Sequence, residues 1–198
     1  MVKRTSPNII ITGTPGVGKT THAELLAQNC AGELKHLAIN QVAKERDCYD
    51  GKDEELGSWI VDEDKLLDAI EPDVLKGGNI IDWHACDLFP RSWIDLVVVV
   101  RADGTLLYDR LKARGYGDKK LEENMDAEIM QVLLDEARDA FDEEIVVELR
   151  SDSADEVEAN CDRIEAWVRQ WKEEHKNGVE GVSGLGGEEE EDEGEVDE

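Results

Sequence analysis

Residues 9–22 read IIITGTPGVGKTTH. An apolar, β-branched run, Ile9-Ile10-Ile11-Thr12, leads into Gly13-Thr-Pro-Gly-Val-Gly18-Lys19-Thr20, which fits G-x-x-x-x-G-K-[ST] at every fixed position. A helical pattern follows through Ala23, Leu25, Leu26 and Ala27. Strand, glycine loop and helix in that order are the context in which the motif holds a phosphate chain. Glycines 13, 16 and 18 let backbone N–H groups turn inward, and the helix starting near Lys19 aims its positive end at the same point. Lys19 is placed to reach the β- and γ-phosphates of a bound polyphosphate, Thr20 to hold Mg²⁺, and Thr21 to reach the α-phosphate side.

Working outward, short apolar runs recur at residues 35–39, 79–83, 95–101 and 144–149, separated by helical stretches. Runs that are apolar on both faces belong to parallel strands covered by helices, so an α/β fold is expected. The pattern predicts a helix from Asp62 to Leu75 that Pro72 bends or splits, one over Thr105–Ala113, one long helix from about Leu121 to Phe141, and a last one over Ala154–His175. The Trp167 and Trp171 stripe on that last helix reads as core.

Two further stretches carry chemistry. In NIIDWHACD, residues 79–87, an apolar strand ends on Asp82, which sets a carboxylate at the carboxyl edge of the sheet beside the glycine loop. Asp82 is the candidate to hold Mg²⁺, directly or through water. His84, two residues on, points to the same side in an extended strand and can order water or a phosphate, or serve only as a hydrogen-bonding partner. The second stretch is a basic cluster in an acidic chain: Arg110, Arg114, Lys119 and Lys120, with Gly115 and Gly117 between them. Arginine offers fixed donors to the oxygens of a transferring phosphoryl group, and the glycines allow a segment that closes over nucleotide.

The 198 residues include 49 acids against 22 bases, a formal charge of −27, and 36% are charged. Phosphate-led binding of nucleic acid is disfavoured by that sign. Ten of the acids and none of the bases fall in residues 177–198, so residues 1–176 still carry −17. That glycine-rich, then acidic stretch is expected to be a disordered tail. The acidity of the remainder is either a solvated surface or one that attracts a strongly basic protein. Cys30, Cys48, Cys86 and Cys161 are far apart, with no C-x-x-C pair, which points to a reducing compartment. The longest apolar run, Leu96 to Val100, is too short for a bilayer, so no membrane association is expected and the protein is read as intracellular.

With these residues assembled, the chain resembles the adenylate kinase 6 family of small P-loop nucleotide kinases. The resemblance covers about residues 7–175 and rests on PNIIITGTPGVGKTT, CYDGKDEE from Cys48, VDEDKLLD from Val61, IIDWHACDLFP from Ile80 and RLKARGYGDKKLEEN from Arg110. It implies a P-loop NTPase fold with a five-stranded parallel sheet flanked by helices, a monophosphate-binding segment over about residues 36–59 and a short lid over about 113–123. It implies transfer of the ATP γ-phosphate to AMP, with dAMP and CMP as other acceptors, and an ATPase side activity. It also implies a role in 18S rRNA and small ribosomal subunit maturation, in nucleus and cytoplasm, with the basic ribosomal protein uS11 and the pre-small subunit as partners. The alternative is a nucleotide-gated assembly ATPase for a basic ribosomal protein with little kinase activity. Carried over by residue, the ATP contacts fall on Gly13, Gly16, Gly18, Lys19, Thr20, Thr21 and Arg114, and the family's Asp-x-His on Asp82 and His84. For the acceptor phosphate the sequence offers Lys44 and Arg46 where ordinary adenylate kinases have an arginine, and Arg91 after Pro90.

Overall fold

The computed structural model describes residues 3–52 and 59–181. Five parallel strands form the central sheet: β2 (Ile9–Thr12), β3 (Lys35–Ala38), β6 (Asn79–Asp82), β7 (Leu96–Arg101) and β8 (Val146–Arg150). Their spatial order is β3-β6-β2-β7-β8. Short strands β1 (Lys3–Arg4) and β9 (Val179–Glu180) pair antiparallel, as do β4 (Tyr49–Lys52) and β5 (Trp59–Val61). The five-stranded parallel expectation therefore holds strand by strand.

Side-chain alternation along the central strands feeds two cores. Ile10, Ile81, Val97 and Val99 face one layer, made by α2 (Ile39–Glu45), α3 (Glu63–Val74) and α6 (Val132–Ala140). Ile9, Ile11, Ile80, Val98 and Val100 face the other, made by α1 (Lys19–Asn29), α4 (Gly104–Ala113), α5 (Asp118–Ile129) and α7 (Ala154–Glu174). The central strands β2, β6 and β7 are buried on both faces, which is why they read as continuous apolar runs. Trp171 is 7% exposed and half-buried Trp167 packs against the second core, so the α7 tryptophans serve packing.

Three expectations change. Pro72 does not split α3: it sits in the last turn, where only two residues follow it, so the lost N–H and the ring clash interrupt little of the ladder. The helix is begun by Asp62, whose side chain accepts from the Lys65 N–H. The long helix over 121–141 is two helices, divided at Gln131 with φ 59°. The reason is topological: α5 packs Leu121 on one face of the sheet and α6 packs Leu134 and Ala137 on the other, and a straight helix cannot serve both. The 177–198 stretch is not structureless from its start, because Val179–Glu180 pair with Lys3–Arg4. Residues 53–58 of the expected monophosphate segment and the tail from 182 lie outside the described residues.

Candidate functional site

Ile11 on β2 is in register with Asp82 on β6, so the phosphate loop and the carboxylate emerge side by side at the carboxyl edge of the sheet. The loop is shaped by steric demand as much as by hydrogen bonding. Gly13 has φ +140°, and a Cβ there would lie 2.3 Å from the Val100 carbonyl oxygen. At Gly16, with φ +98°, a Cβ would meet Leu107 Cδ1 at 2.9 Å. Side chains are excluded at both points, leaving the backbone to line the loop. Gly18, in a left-handed conformation, starts α1 with no side-chain cap, so the helix N–H groups are left for an anion.

Lys19 Nζ lies inside the loop, donating to the carbonyls of Gly13 at 2.6 Å and Thr14 at 3.2 Å. Burial lowers its pKa to about 8; the Asp82 carboxylate opposes that fall, Arg114 adds to it and Glu128 opposes it. Thr20 Oγ1 donates to Asp82 Oδ2 at 2.6 Å, and His36 Nε2 stands 3.4 Å from the same oxygen. Burial pushes the Asp82 pKa upward, but His36, Thr20 and Lys19 together outweigh it and hold the carboxyl below its usual range. Asp82 is thus ionised beside a hydroxyl. That hard-oxygen pair suits Mg²⁺, which takes one or two protein oxygens and completes its shell with water and phosphate.

His84 lies just past β6, its carbonyl held by Thr12 Oγ1 at 2.9 Å and its ring 4.4 Å from that of Trp83. Partial desolvation, then the Lys19 charge, push its pKa down and favour the neutral ring. His84, Asp82, Lys19, Thr20, Thr21, Gly16, Gly18 and Arg114 all line one cleft of about 850 Å³, large enough for a nucleotide. Trp83 also borders it but is only 6% exposed and packs into the core, as its alternation predicts.

Arg114 ends α4 and is followed by Gly115 with φ +75°, after which Tyr116, Lys120 and Asn124 of the α5 side line the cleft. Lys120 Nζ sits 4.8 Å over the Tyr116 ring. Arg110 is elsewhere occupied: it holds the Gly16 carbonyl at 3.3 Å and the Ser151 carbonyl at 3.2 Å, bracing the loop from outside. Opposite lies the β4–β5 hairpin, where Tyr49 and Trp59 have ring centroids 5.2 Å apart, together with Asn40 at the start of α2.

The acceptor-phosphate candidates are placed differently from expectation, and none of the three lines the cleft. α2 buries Ile39, Val42 and Ala43, which turns Lys44 outward. Arg46, after its end, donates to the Ala69 carbonyl and pairs with Asp73 at 2.9 Å. Arg91 donates to the Asp139 carbonyl at 3.1 Å and borders a separate depression with Phe141, Trp167 and Trp171. Asn40 is the α2 residue that does reach the cleft. Sequence reading also missed His36, since nothing local shows that β3 lies next to β6, and it missed Glu128, which meets the loop through Thr14. Among the described residues there is no cluster of three or more His, Cys, Asp or Glu able to hold a metal, and no helix long and apolar enough to cross a membrane.

A phosphate loop on a parallel sheet, with a lysine, a Thr–Asp pair and an arginine around one cleft, defines a kinase-type P-loop protein. Comparison with known proteins refines the class. The AAA domain family matches residues 9–131. The adenylate kinase isoenzyme 6 homolog of Schizosaccharomyces pombe is 53% identical over 173 residues, covering 87% of this chain and 98% of that protein. The adenylate kinase isoenzyme 6 homolog FAP7 of Saccharomyces cerevisiae is 50% identical over 177 residues, 89% of each chain. An uncharacterised protein from Eubacterium ventriosum shares the fold at 12% identity, with a TM-score of 0.51 over 83% of this chain and 99% of that one. The chain belongs to the adenylate kinase isoenzyme 6 family.

Proposed function

We propose that this protein transfers the γ-phosphate of ATP to AMP, with dAMP and CMP as further acceptors, and hydrolyses ATP as a side activity. The observation that carries the reading is the convergence, in one cleft, of Lys19, the Thr20–Asp82 pair and Arg114 on one side with the Tyr49–Trp59 hairpin on the other. Residues 113–123 serve as the lid and the described part of 36–59 as the acceptor wall. ATP phosphates replace the Gly13 and Thr14 carbonyls as partners of Lys19, and Arg114 approaches the transferring group as the lid closes. Thr20 and Asp82 would hold Mg²⁺, which would supply charge neutralisation during transfer. Little else is asked of the protein, because phosphoryl transfer depends on positioning and fixed charge.

A second reading has one specific observation behind it: among the described residues, no lysine or arginine between positions 36 and 63 lines the cleft. A weak grip on the acceptor phosphate fits an ATPase that gates the hold of an acidic fold on a basic ribosomal protein such as uS11. On that reading the protein serves 18S rRNA and small-subunit maturation, in nucleus and cytoplasm. ADP formation from MgATP decides between the two, measured with and without AMP and with and without a basic ribosomal protein. The kinase reading expects AMP to accelerate the reaction with two ADP formed per ATP consumed; acceleration by the protein alone would replace it with the second.

A further inference from the structure

Glu128, in the last turn of α5, is 4% exposed and fully engaged. Its Oε2 accepts from Thr14 Oγ1 at 2.6 Å, and its Oε1 accepts from Arg101 Nε at 2.6 Å and the Ala102 N–H at 3.2 Å. Its main-chain carbonyl accepts from Arg101 Nη2 at 2.8 Å. One carboxylate therefore joins three elements: the phosphate loop, the carboxyl end of β7, and the helix that follows the lid glycines.

Part of the carboxylate's work is structural: it neutralises the buried Arg101 guanidinium, which an apolar contact could not do. That pairing occupies Oε1 and does not require the bond that Oε2 accepts from Thr14. What the carboxylate adds is direction: it responds to where the Thr14 hydroxyl stands. Thr14 is 1% exposed, and its carbonyl, with that of Gly13, is what Lys19 holds. A phosphate that drew Lys19 away would remove both of these contacts from the segment that carries the Thr14 hydroxyl. Along its length α5 presents Lys120, Asn124 and Ala127 to the cleft. Glu128 lies eight positions after Lys120, about 12 Å along the helix.

We propose that Glu128 is a positioning residue that couples occupancy of the phosphate loop to the placement of the lid helix α5, through the Thr14 hydroxyl. The proposal rests on the reading of residues 113–123 as a lid, and it gives the cleft a physical link by which bound ATP sets the position of Lys120 and Asn124.

Hydrogen exchange of the full chain, with and without MgATP, tests it. In the parent, ATP is expected to slow exchange in both α1 and α5. Thr14→Val keeps the β-branched shape and the Arg101–Glu128 pair but lacks the hydroxyl. With ATP bound to it at saturation, α1 stays protected while the ATP-induced protection of α5 falls about tenfold or more, the loss of one hydrogen bond to a charged group. In AMP-dependent turnover, kcat falls by about ten- to a hundredfold, more than KM for ATP rises. Thr14→Ser restores both. Glu128→Gln moves in the same direction; should it fail to fold, the Val and Ser pair at position 14 still decides. Equal ATP-induced protection of α5 in Thr14→Val and the parent overturns the coupling, as does a parent in which ATP leaves α5 unchanged. Absence of AMP-dependent turnover in the parent would count against the kinase reading alone, since the exchange comparison needs only ATP binding.

Discussion

Thr20 Oγ1 donates to Asp82 Oδ2 across 2.6 Å, joining the first turn of α1 to the end of the neighbouring strand β6. The contact unites the last fixed position of the loop motif with a carboxylate sixty-two residues away. It places at one edge of the cleft two hard oxygens that would hold a divalent cation.

Replacing Asp82 with Asn removes the charge and keeps the size. We expect kcat for ADP formation to fall by about a hundredfold or more, the scale on which fixed charges act in phosphoryl transfer. Steady-state rates across a Mg²⁺ titration check this, and a variant that recovers parental kcat at high Mg²⁺ would restrict Asp82 to affinity for the metal.

His84 is testable by separation of activities. If its neutral ring orders the attacking water, His84→Ala loses about tenfold or more of ATP hydrolysis without AMP, while transfer to AMP is largely retained. Parallel assays of phosphate release and ADP formation give the answer; unchanged hydrolysis would leave His84 with no role in water attack.

Trp59 is 60% exposed beside Tyr49, an unusual position for a large ring in so acidic a chain. As part of the acceptor wall it would stack on a base, a contact worth about 1–3 kcal/mol. Trp59→Ala should therefore raise KM for AMP by about five- to a hundredfold, with a much smaller change for ATP. A variant with parental KM for AMP would move the acceptor off the hairpin.

The glycines of the chain are predicted to differ sharply. Gly13→Ala forces a Cβ onto the Val100 carbonyl in a backbone region disfavoured for alanine, and a loss of about 2–4 kcal/mol is expected. At Gly117 a Cβ would meet no atom within 4 Å, and φ is not positive, so Gly117→Ala should be within about 0.5 kcal/mol of the parent. Chemical denaturation of both variants measures the contrast.

The thiols offer a pH-dependent test. Burial pushes Cys86 up to about 12 and Cys161 to about 11, and it raises Cys48 and Cys30 as well. A raised pKa means less of the reactive thiolate at any pH below it, so alkylation of the folded chain at pH 8 should be slow and fall mainly on half-buried Cys30. All four thiols should react after denaturation, and the native rate should climb as pH rises towards 10. Rapid labelling of Cys86 at pH 8 in the native state would contradict the burial assigned to it.

Features that depend on neighbours in the chain are legible in the order of its residues. The loop motif sets its own spacing, and the runs of β2, β6 and β7 are legible because each of these three strands is buried on both faces, whereas the edge strands β3 and β8 are only partly covered. Asp82 was legible for a related reason: it ends an apolar strand, and strand ends in such sheets face the ligand. The tertiary structure decided which side chains meet across the sheet. Lys44 and Arg46 looked like acceptor ligands until the burial of Ile39, Val42 and Ala43 fixed which way α2 and its end turn, and Arg46 had a nearer partner in Asp73. The helix predicted over 121–141 had to break at Gln131 because its halves pack on opposite faces, which no local propensity records. Nothing local in the chain marks Glu128 as a partner of Thr14 or His36 as a partner of Asp82; only strand order and helix placement bring them together. Contacts between residues distant in sequence depend on how whole elements pack, and that is settled by the summed burial of the two cores and not by any short stretch of residues.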